Sequence, residues 1–229
     1  MNKRLFSFVA AIAVVPLLIL GGCSNKSGEP DSSAADTGGP GKPDPGVAAT
    51  GGAGGSSGCA ATLDQTTWDP NVDYSSTENP CGVWTYGYTR TLGSAPLVIY
   101  SAKDGIYWVD PGNETLFDPT AWQNDGTFNL HPGPKGEYST VRWTAPRDGT
   151  YSVTVAFLAG DKGETDGAVL QGTYVLFESS TTSNPHYAVV LTMAAGETLD
   201  VAVGLVPPVS ASSYLYGTTP ISLVITDSR

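Results

Sequence analysis

The sequence predicts an all-β domain, built as an antiparallel β-sandwich of jelly-roll type, and three observations support this fold class. Apolar and polar residues alternate in several short segments, such as residues 151–157, and a period of two is typical of a strand with one buried face. Turn-forming residues separate these segments, as at 146–149 and 195–197. No segment has the i, i+3, i+4 apolar spacing of an amphipathic helix.

The clearest alternating segments follow one another along the second half of the chain, and each is expected to form a strand. They are residues 137–145, 151–157, 189–193, 199–203 and 221–225. With the weaker segments included, we expect about nine to eleven short strands. Their spacing of about 8–12 residues is typical of a sandwich or barrel.

The aromatic residues within alternating segments are expected to face the core. Trp84 and Trp143 are the main examples, and a large aromatic side chain buries about 150–250 Å². Arg142 lies between Val141 and Trp143, so it should point outward, toward a carboxylate such as Asp148. As a surface pair, this contact would contribute only about 0–1 kcal/mol.

The N-terminus has the layout of a bacterial secretory signal over residues 1–22, basic at first and apolar from residue 5 to residue 20. It ends in Leu-Gly-Gly-Cys, which resembles a lipobox, so Cys23 is the predicted site of acylation. The apolar run is short for a bilayer span. The residue after Cys23 is Ser24 and not Asp. In this respect the chain resembles lipoproteins of the outer membrane, and the resemblance implies export and a lipid anchor at the outer membrane or cell surface. An ordinary secretory signal with an unrelated Cys is the alternative.

The remaining chain divides by composition into a tether at residues 23–58 and a folded domain at residues 59–229. The tether is rich in Gly, Ser, Pro and Ala and has too few apolar residues to offset its ordering entropy. The 170 residues from position 60 onward hold 7 Lys and Arg against 18 Asp and Glu, a net charge of −11. Nucleic acid is therefore not an expected partner. We expect a monomer.

Two cysteines other than Cys23 open the domain. In an exported protein such a pair usually forms a disulfide, so we predict a bond between Cys59 and Cys81. The closed loop would contribute about 3 kcal/mol in the chain-entropy model. Metal or redox chemistry is the alternative, but the segment has no C-x-x-C motif and no nearby His.

Several motifs resemble a β-sandwich domain of secreted bacterial proteins. They are NPCGVWTYGY at 79–88, LHPG at 130–133, VRWTAP with GTY at 141–151, and AGETLDVAVG at 195–204. The resemblance covers roughly residues 79–226. It implies a jelly roll similar to carbohydrate-binding modules, of a kind found in surface, adhesion and polysaccharide-related proteins.

A catalytic function is not expected from the motifs. The chain contains only two histidines, His131 and His186, and neither has a nearby Ser or Cys in a nucleophile motif. Phosphate-binding and zinc-protease motifs are also absent from the sequence. A glycosidase-like pair of carboxylates stays open as an alternative, because its spacing is spatial.

Aromatic residues in turn-rich segments are the predicted ligand-binding residues, because sugar rings stack on exposed aromatic faces and functional residues favour loops. The predicted set also includes two polar neighbours of one ring that could bind sugar hydroxyls. It consists of Trp108, Trp122, Asn124, Asp125, Tyr214 and Tyr216. The alternative is that these rings cap the sandwich or lie in strands.

A structural calcium ion is a further prediction. Asp161, Glu164 and Asp166 lie in a Gly-rich segment, and calcium takes oxygen ligands from such loops. The spacing does not match an EF-hand, and a solvated turn is the alternative. Taken together, we expect a lipid-anchored, non-catalytic β-sandwich that binds extracellular or envelope glycan. The alternative hypothesis is a structural or adhesive protein that contacts other proteins. A polysaccharide hydrolase is the least favoured hypothesis.

Overall fold

The computed structural model describes residue 59 and residues 64–93, 96–110, 112, 118–206 and 214–229. The predicted signal at 1–22, the lipidation site Cys23 and almost all of the tether lie outside the described residues, so those remain predictions. No helix in the described part of the chain has the length and apolar character needed to cross a membrane.

The described residues form fourteen strands, one short helix α1 (Pro70–Asp73) and a 3₁₀ turn (Thr181–Ser183). The strands are β1 (Thr67–Trp68), β2 (Trp84–Thr89), β3 (Val98–Ile99), β4 (Ala102–Asp104), β5 (Tyr107–Val109), β6 (Thr120–Asn124), β7 (Thr127–His131), β8 (Tyr138–Thr144), β9 (Gly149–Phe157), β10 (Thr165–Gln171), β11 (Tyr174–Ser180), β12 (His186–Met193), β13 (Thr198–Leu205) and β14 (Thr219–Asp227).

The strands form two antiparallel sheets that pack face to face. Sheet I has eight strands in the order β12-β9-β14-β7-β6-β5-β4, with β1 also paired to β14. Sheet II has six strands in the order β11-β10-β13-β8-β2-β3. From β7 onward the chain passes repeatedly from one sheet to the other, as in a jelly roll. The predicted all-β fold class is therefore confirmed.

The core lies between the sheets and follows the predicted alternation. In β9 the inward side chains are Tyr151, Val153, Val155 and Phe157, all at most 1% exposed. From sheet II, Trp143 packs its ring edge-on against Tyr151, with the ring centroids 4.9 Å apart. Contacts of this kind bury one face of each strand and hold the two sheets together.

The strand count exceeds the predicted nine to eleven because several strands are very short. β1 and β3 have two residues each, and β4 and β5 have three. Segments of this length contain only one period of alternation, which is too little to identify a strand, so their pairing with neighbouring strands is what defines them. Their hydrogen bonds are set by tertiary contacts that a local pattern does not encode.

The N-terminal segment of the domain is tied to both sheets. Cys59 and Cys81 form the predicted disulfide. Between them, Asp69 caps α1 by accepting a hydrogen bond from the Asn71 N–H at 2.8 Å. The Asn71 side chain accepts a hydrogen bond from the Phe128 N–H in sheet I. The disulfide in turn joins the start of this segment to the residues just before β2 in sheet II.

Candidate functional site

An ion pair lies on the outer face of sheet II, where β8 and β13 are neighbours. Arg142 stands directly opposite Asp200 in the register of these strands. Its Nε and Nη2 each donate a hydrogen bond of 2.7 Å, one to each carboxylate oxygen of Asp200. Such a bidentate pair fixes the plane and the position of both groups. The hydrogen bond to Asp200 raises the pKa of Arg142, although partial burial opposes this shift.

The alternation correctly predicts that Arg142 points away from the core, but the predicted partner, Asp148, is wrong. Asp148 lies in the turn between β8 and β9, where its Oδ1 accepts a hydrogen bond from the Ala195 N–H at 2.8 Å. Asp200 is the partner because strand register places it beside Arg142, although 58 residues separate the two in sequence. That register is a long-range property of the sheet.

The ion pair forms part of the floor of a cavity of about 280 Å³. Thr140 and Ala202 continue the floor and face each other across the same two strands. Leu170 of β10 also lines the cavity, as does Leu97 from the segment before β3. We call this cavity the sheet II pocket.

Gly93, Pro96 and Leu97, from the described part of the segment between β2 and β3, line the sheet II pocket, and Gly93 approaches the β10–β11 turn. Gly93 in this segment has φ +69°, and a Cβ atom built on it would lie 2.4 Å from the Thr173 carbonyl oxygen. Only glycine is compatible with both this backbone conformation and this approach. Gly93 and the turn therefore touch beside the pocket.

A second depression of about 510 Å³ adjoins the sheet II pocket and shares three of its residues. The shared residues are Gly172, Thr173 and Thr198. Tyr174 lines the second depression and is 77% exposed, the second most exposed of the large hydrophobic side chains in the described residues. The sheet II pocket thus continues into a more open depression that presents an aromatic ring.

The hydrogen-bonding groups of the pocket are arranged to meet a hydroxyl-bearing ligand. Arg142 Nη1 has no hydrogen-bond partner among the described residues, so its N–H groups can donate. The Thr89 hydroxyl donates to the Thr91 carbonyl at 3.0 Å and accepts from the Thr91 N–H at 3.4 Å. The Thr140 hydroxyl donates to the Tyr138 carbonyl at 3.0 Å and is buried, so the accessible hydrogen-bonding groups are chiefly those of the ion pair. Leu97 and Leu170 supply an apolar surface beside these groups.

Trp122, predicted to lie in a turn, lies in β6 on the outer face of sheet I. Its half-buried ring packs against Tyr107 on the adjacent β5, with the centroids 5.2 Å apart. Asn124 ends the strand and is exposed, and Asp125 forms the following turn with φ +50°. These three predicted ligand-binding residues are therefore near one another, but none lines the sheet II pocket.

Tyr214 and Tyr216 lie in the turn before β14. The half-buried Tyr214 ring meets His131 edge-on, with the centroids 6.2 Å apart. Tyr216 is 53% exposed, and its carbonyl accepts a hydrogen bond from the Gly163 N–H at 2.8 Å. Of the two, Tyr216 offers the more accessible ring, and neither residue lines the sheet II pocket.

Trp108 does not fit the predicted exposed role. It is 5% exposed, and its indole N–H donates a hydrogen bond of 2.7 Å to the Ser75 carbonyl. The period-two rule explains this position, because Trp108 stands opposite the fully buried Ala121 on the inner side of sheet I. Its ring belongs to the core and offers no face for stacking.

The three acids predicted to bind calcium are not gathered into a metal site. Within the described residues, no group of three or more His, Cys, Asp or Glu side chains is placed to hold a metal ion. Asp161 and Glu164 are exposed in the β9–β10 connection, whereas Asp166 lies in β10. Burial, and then the nearby charge of Glu178, raise the pKa of Asp166. Calcium binding stays a prediction that only a binding measurement can test.

Tyr174 and the approach of Gly93 to the β10–β11 turn are the features that the sequence interpretation missed. Gly172-Thr173 between two β-type segments is a usable hairpin signal, and it would have placed Tyr174 at the start of a strand. The contact between Gly93 and Thr173 has no comparable local signal.

No protein-family model matches this chain, and no curated protein matches it. Among solved structures, it is similar to a family 35 carbohydrate binding module from Clostridium thermocellum (TM-score 0.31, 12% identity, 45% of this chain and 81% of that chain). It is also similar to CBM35 from Paenibacillus barcinonensis (TM-score 0.29, 11% identity, covering 72% of this chain and 100% of that chain). A third similar structure is the K3 cleaved adhesin domain of Lys-gingipain from Porphyromonas gingivalis (TM-score 0.29, 13% identity, covering 44% of this chain and 72% of that chain). Likeness at this level is too slight to carry a function from those proteins to this chain.

Proposed function

We propose that this domain is a non-catalytic module that binds a neutral saccharide in the sheet II pocket. The observation that carries the proposal is the Arg142–Asp200 pair on the floor of a pocket that adjoins an exposed aromatic ring. A sugar presents neighbouring hydroxyls that both donate and accept hydrogen bonds. Arg142 Nη1 supplies donors, and Asp200 supplies acceptor lone pairs within reach of the same ligand group.

The remaining surfaces of the site suit the apolar parts of a sugar. Leu97 and Leu170 can pack against the C–H groups of a ring inside the pocket. Tyr174 can stack on a further ring in the open depression. The volume of the pocket, about 280 Å³, falls just below the range of about 300–1,000 Å³ for small-molecule sites, and the adjoining depression adds to the space available.

Charge favours a neutral ligand over an acidic one. The only oppositely charged side chains lining the sheet II pocket, Arg142 and Asp200, neutralise each other. The domain itself carries a large negative charge, which repels uronic acids and sulfated sugars. Neutral hexose or pentose polymers are therefore the preferred ligand class.

Hydrolysis of the sugar is the less favoured alternative. A glycosidase needs two carboxyl groups about 5–10 Å apart on either side of the scissile bond. Asp200 is the one carboxylate that lines the sheet II pocket, and both of its oxygens accept hydrogen bonds from Arg142. A binding role needs no further group, so it is the simpler function for this pocket.

The proposal also includes the cellular location of the protein. The N-terminal pattern supports acylation of Cys23, and residues 23–58 have the composition of a flexible tether. Together these features would hold the module at the outer membrane or cell surface. Metabolic labelling with palmitate, lost in a Cys23→Ala variant, is the expected result, and labelling that persists in the variant would contradict the anchor.

The saccharide proposal is tested by a pull-down of the purified protein with insoluble cellulose, chitin, xylan, mannan, β-1,3-glucan and starch, with and without calcium. We expect binding to at least one polymer. Arg142→Lys keeps the charge but loses the bidentate geometry, so it should weaken binding at least about tenfold. Tyr174→Ala should weaken it by a similar or smaller factor through lost stacking.

Tyr216→Ala is the matched control, because it removes a ring of the same type that is also exposed but does not line the pocket. It should bind as the unchanged protein does. Failure of the folded protein to bind any polymer would favour the structural or adhesive hypothesis. Loss of binding in the Tyr216 variant alone would move the site to the turn before β14.

A further inference from the structure

The strands at the outer edges of the two sheets differ in their protection against pairing with another chain. β4, at one edge of sheet I, has three residues, two of them the charged Lys103 and Asp104. At the edges of sheet II, β3 has two residues, and β11 carries Glu178 and a bulge at Leu176, which has no partner in the register with β10. Short length, charge and bulges all oppose edge-to-edge pairing.

β12, the remaining edge of sheet I, lacks these protective features. Its eight residues include no Asp, Glu, Lys, Arg or Pro, and its register with β9 is unbroken from His186 to Met193. Among the described strands, it pairs with β9 alone. A long, regular and uncharged edge offers a row of unpaired backbone groups to another strand.

The hydrogen bonds between β9 and β12 show which backbone groups of β12 point away from the sheet. The Phe157 N–H donates to the Pro185 carbonyl at 3.1 Å, so the odd-numbered residues of β12 are the ones that bond to β9. The N–H and C=O groups of the even-numbered residues therefore point outward. The side chains of these residues are all exposed, and the residues are His186, Ala188, Val190 and Thr192.

The core is also incompletely covered along this side of the sandwich. Of five half-buried hydrophobic side chains that pack against the core in the described residues, four lie in β11 or β12. The Phe177 ring of β11 stacks on Phe157 of β9 and on Tyr187 of β12, with centroid distances of 6.4 and 5.0 Å. β11 thus lies over β9 and β12, and the outer edge of β12 stays accessible. A strand added there would cover Tyr187 and Val189.

We infer that β12 pairs with β12 of a second copy of this chain, so that sheet I continues across an antiparallel dimer. One register uses every outward backbone group, and in it Val189 lies opposite the partner's Val189 on the two-fold axis. Ala188 then lies opposite the partner's Val190, and the small side chain makes room for one that is 63% exposed in the single copy. The four hydrogen-bonded pairs supply about eight hydrogen bonds. Both copies use the same strand, so the interface closes on itself.

The charge pattern fits a second copy better than a basic partner. β9 and β12 contain no charged side chain, so the pairing brings no two charges into contact. The domains as wholes are acidic and repel each other, but physiological salt screens this repulsion beyond about 8 Å. The dimer should therefore tighten as salt increases, whereas a basic peptide would bind this acidic domain less tightly. The inference departs from the expected monomer, and it leaves the sheet II pocket open, since no β12 residue lines it.

Sedimentation velocity of the purified full-length protein, over a range of protein and salt concentrations, tests the dimer. Val190→Pro removes an outward N–H and keeps every hydrogen bond to β9, so dimerisation should weaken at least about tenfold. Val190→Thr keeps the N–H and the branched shape, so its dimerisation should stay within about twofold of the parent value. Association through the apolar N-terminus would respond to neither substitution. A parent protein that is monomeric throughout, or a folded proline variant that dimerises equally well, overturns the inference.

A cysteine cross-link tests the register and serves if Val190→Pro does not fold. In the inferred dimer, the Cα atoms of Val189 and the partner's Val189 form a non-hydrogen-bonded pair about 4.5 Å apart, within the range for a disulfide. The two Ala188 positions are offset along the strands and lie about 9 Å apart, beyond that range. Mild oxidation should give a covalent dimer of Val189→Cys and not of Ala188→Cys. Equal yields, or no cross-link in a folded Val189→Cys protein, would contradict the pairing.

Discussion

The outer faces of the two sheets carry different kinds of side chain. On sheet I, apolar side chains stand exposed or half-exposed, among them Val190 at 63% and the Trp122–Tyr107 pair. Sheet II also exposes a ring, Tyr174 at 77%, but its outer face carries in addition the Arg142–Asp200 ion pair in a pocket. An exposed ring therefore does not distinguish the two faces, whereas the ion pair does.

The two sheets also differ in how the N-terminal segment supports them. β1 extends sheet I by pairing with β14, and Trp68 of β1 packs against Trp143, with ring centroids 5.3 Å apart. The pocket on sheet II uses none of these contacts. Substitutions in the N-terminal segment should therefore affect stability without affecting binding, and four measurements can confirm or break this separation and find where it ends.

The largest expected effect is on stability alone. Reduction of the Cys59–Cys81 disulfide, or Cys81→Ser with Cys59→Ser, should lower the free energy of unfolding by about 3 kcal/mol, because the closed loop no longer restricts the unfolded chain. Urea denaturation measures this change. Binding at low denaturant should stay intact, and a parallel loss of affinity in the folded variant would show that the pocket depends on the N-terminal segment.

Asp200→Asn should affect both properties. The variant keeps the shape of the side chain but leaves the partly buried Arg142 without its counter-charge, at a cost of about 1–3 kcal/mol in stability. It should also weaken saccharide binding, because a ligand acceptor is lost. Asp148→Asn, in the turn between β8 and β9, is the control, and its affinity should equal that of the parent protein. Unfolding curves and titrations of both variants give the comparison.

Trp122→Ala tests the face of sheet I. We expect a loss of about 1 kcal/mol in stability, because the contact with Tyr107 is lost from a half-buried position. Saccharide affinity should not change. An affinity that falls while the thermal melt shows a folded protein would instead place a ligand on sheet I, as the sequence alone predicts.

The smallest effect concerns Asp166 on the outer face of sheet II. Its pKa is raised in the folded state, chiefly by burial and then by Glu178, so the folded protein takes up a proton at a higher pH than the unfolded chain. The carboxylate therefore costs stability at neutral pH, and this cost disappears as the pH falls through the raised pKa toward the unfolded value. Asp166→Asn should be slightly stabilising at neutral pH and neutral in acid.

Asp104→Asn in β4 of sheet I is the control for this measurement, because that carboxylate is exposed. Its unfolding curves should match those of the parent protein at both pH values. An Asp166→Asn variant that is less stable at neutral pH would mean that the carboxylate makes a favourable contact.

The local alternation of apolar and polar residues was sufficient to predict the fold class and much of the core. Trp84 and Trp143 are buried, as their alternating segments indicate, and Arg142 points outward for the same reason. The disulfide followed from the number of cysteines and the predicted export. Each of these inferences depends only on neighbouring residues or on compartment.

The candidate site depends on information that a local pattern lacks. Arg142 meets Asp200 through strand register, and Gly93 reaches Thr173 across four strands, so neither contact has a signature nearby in sequence. The position of Trp122 was recoverable, however. The Asp125-Gly126 pair after it is a strong signal for a two-residue hairpin turn, which makes its own segment a strand.

The disulfide has a mechanical consequence. A pulling force that enters the domain from the N-terminal side of Cys59 passes through the covalent bond to Cys81, immediately before β2. The force therefore does not pass through the chain between the two cysteines, which are 22 residues apart and have β1 and α1 between them. These two elements are then not pulled away from sheet I. If the load is resisted by a ligand held over β8 and β13, the path of tension runs within sheet II. The domain can then bear shear between its attachment point and its ligand while sheet I stays unloaded.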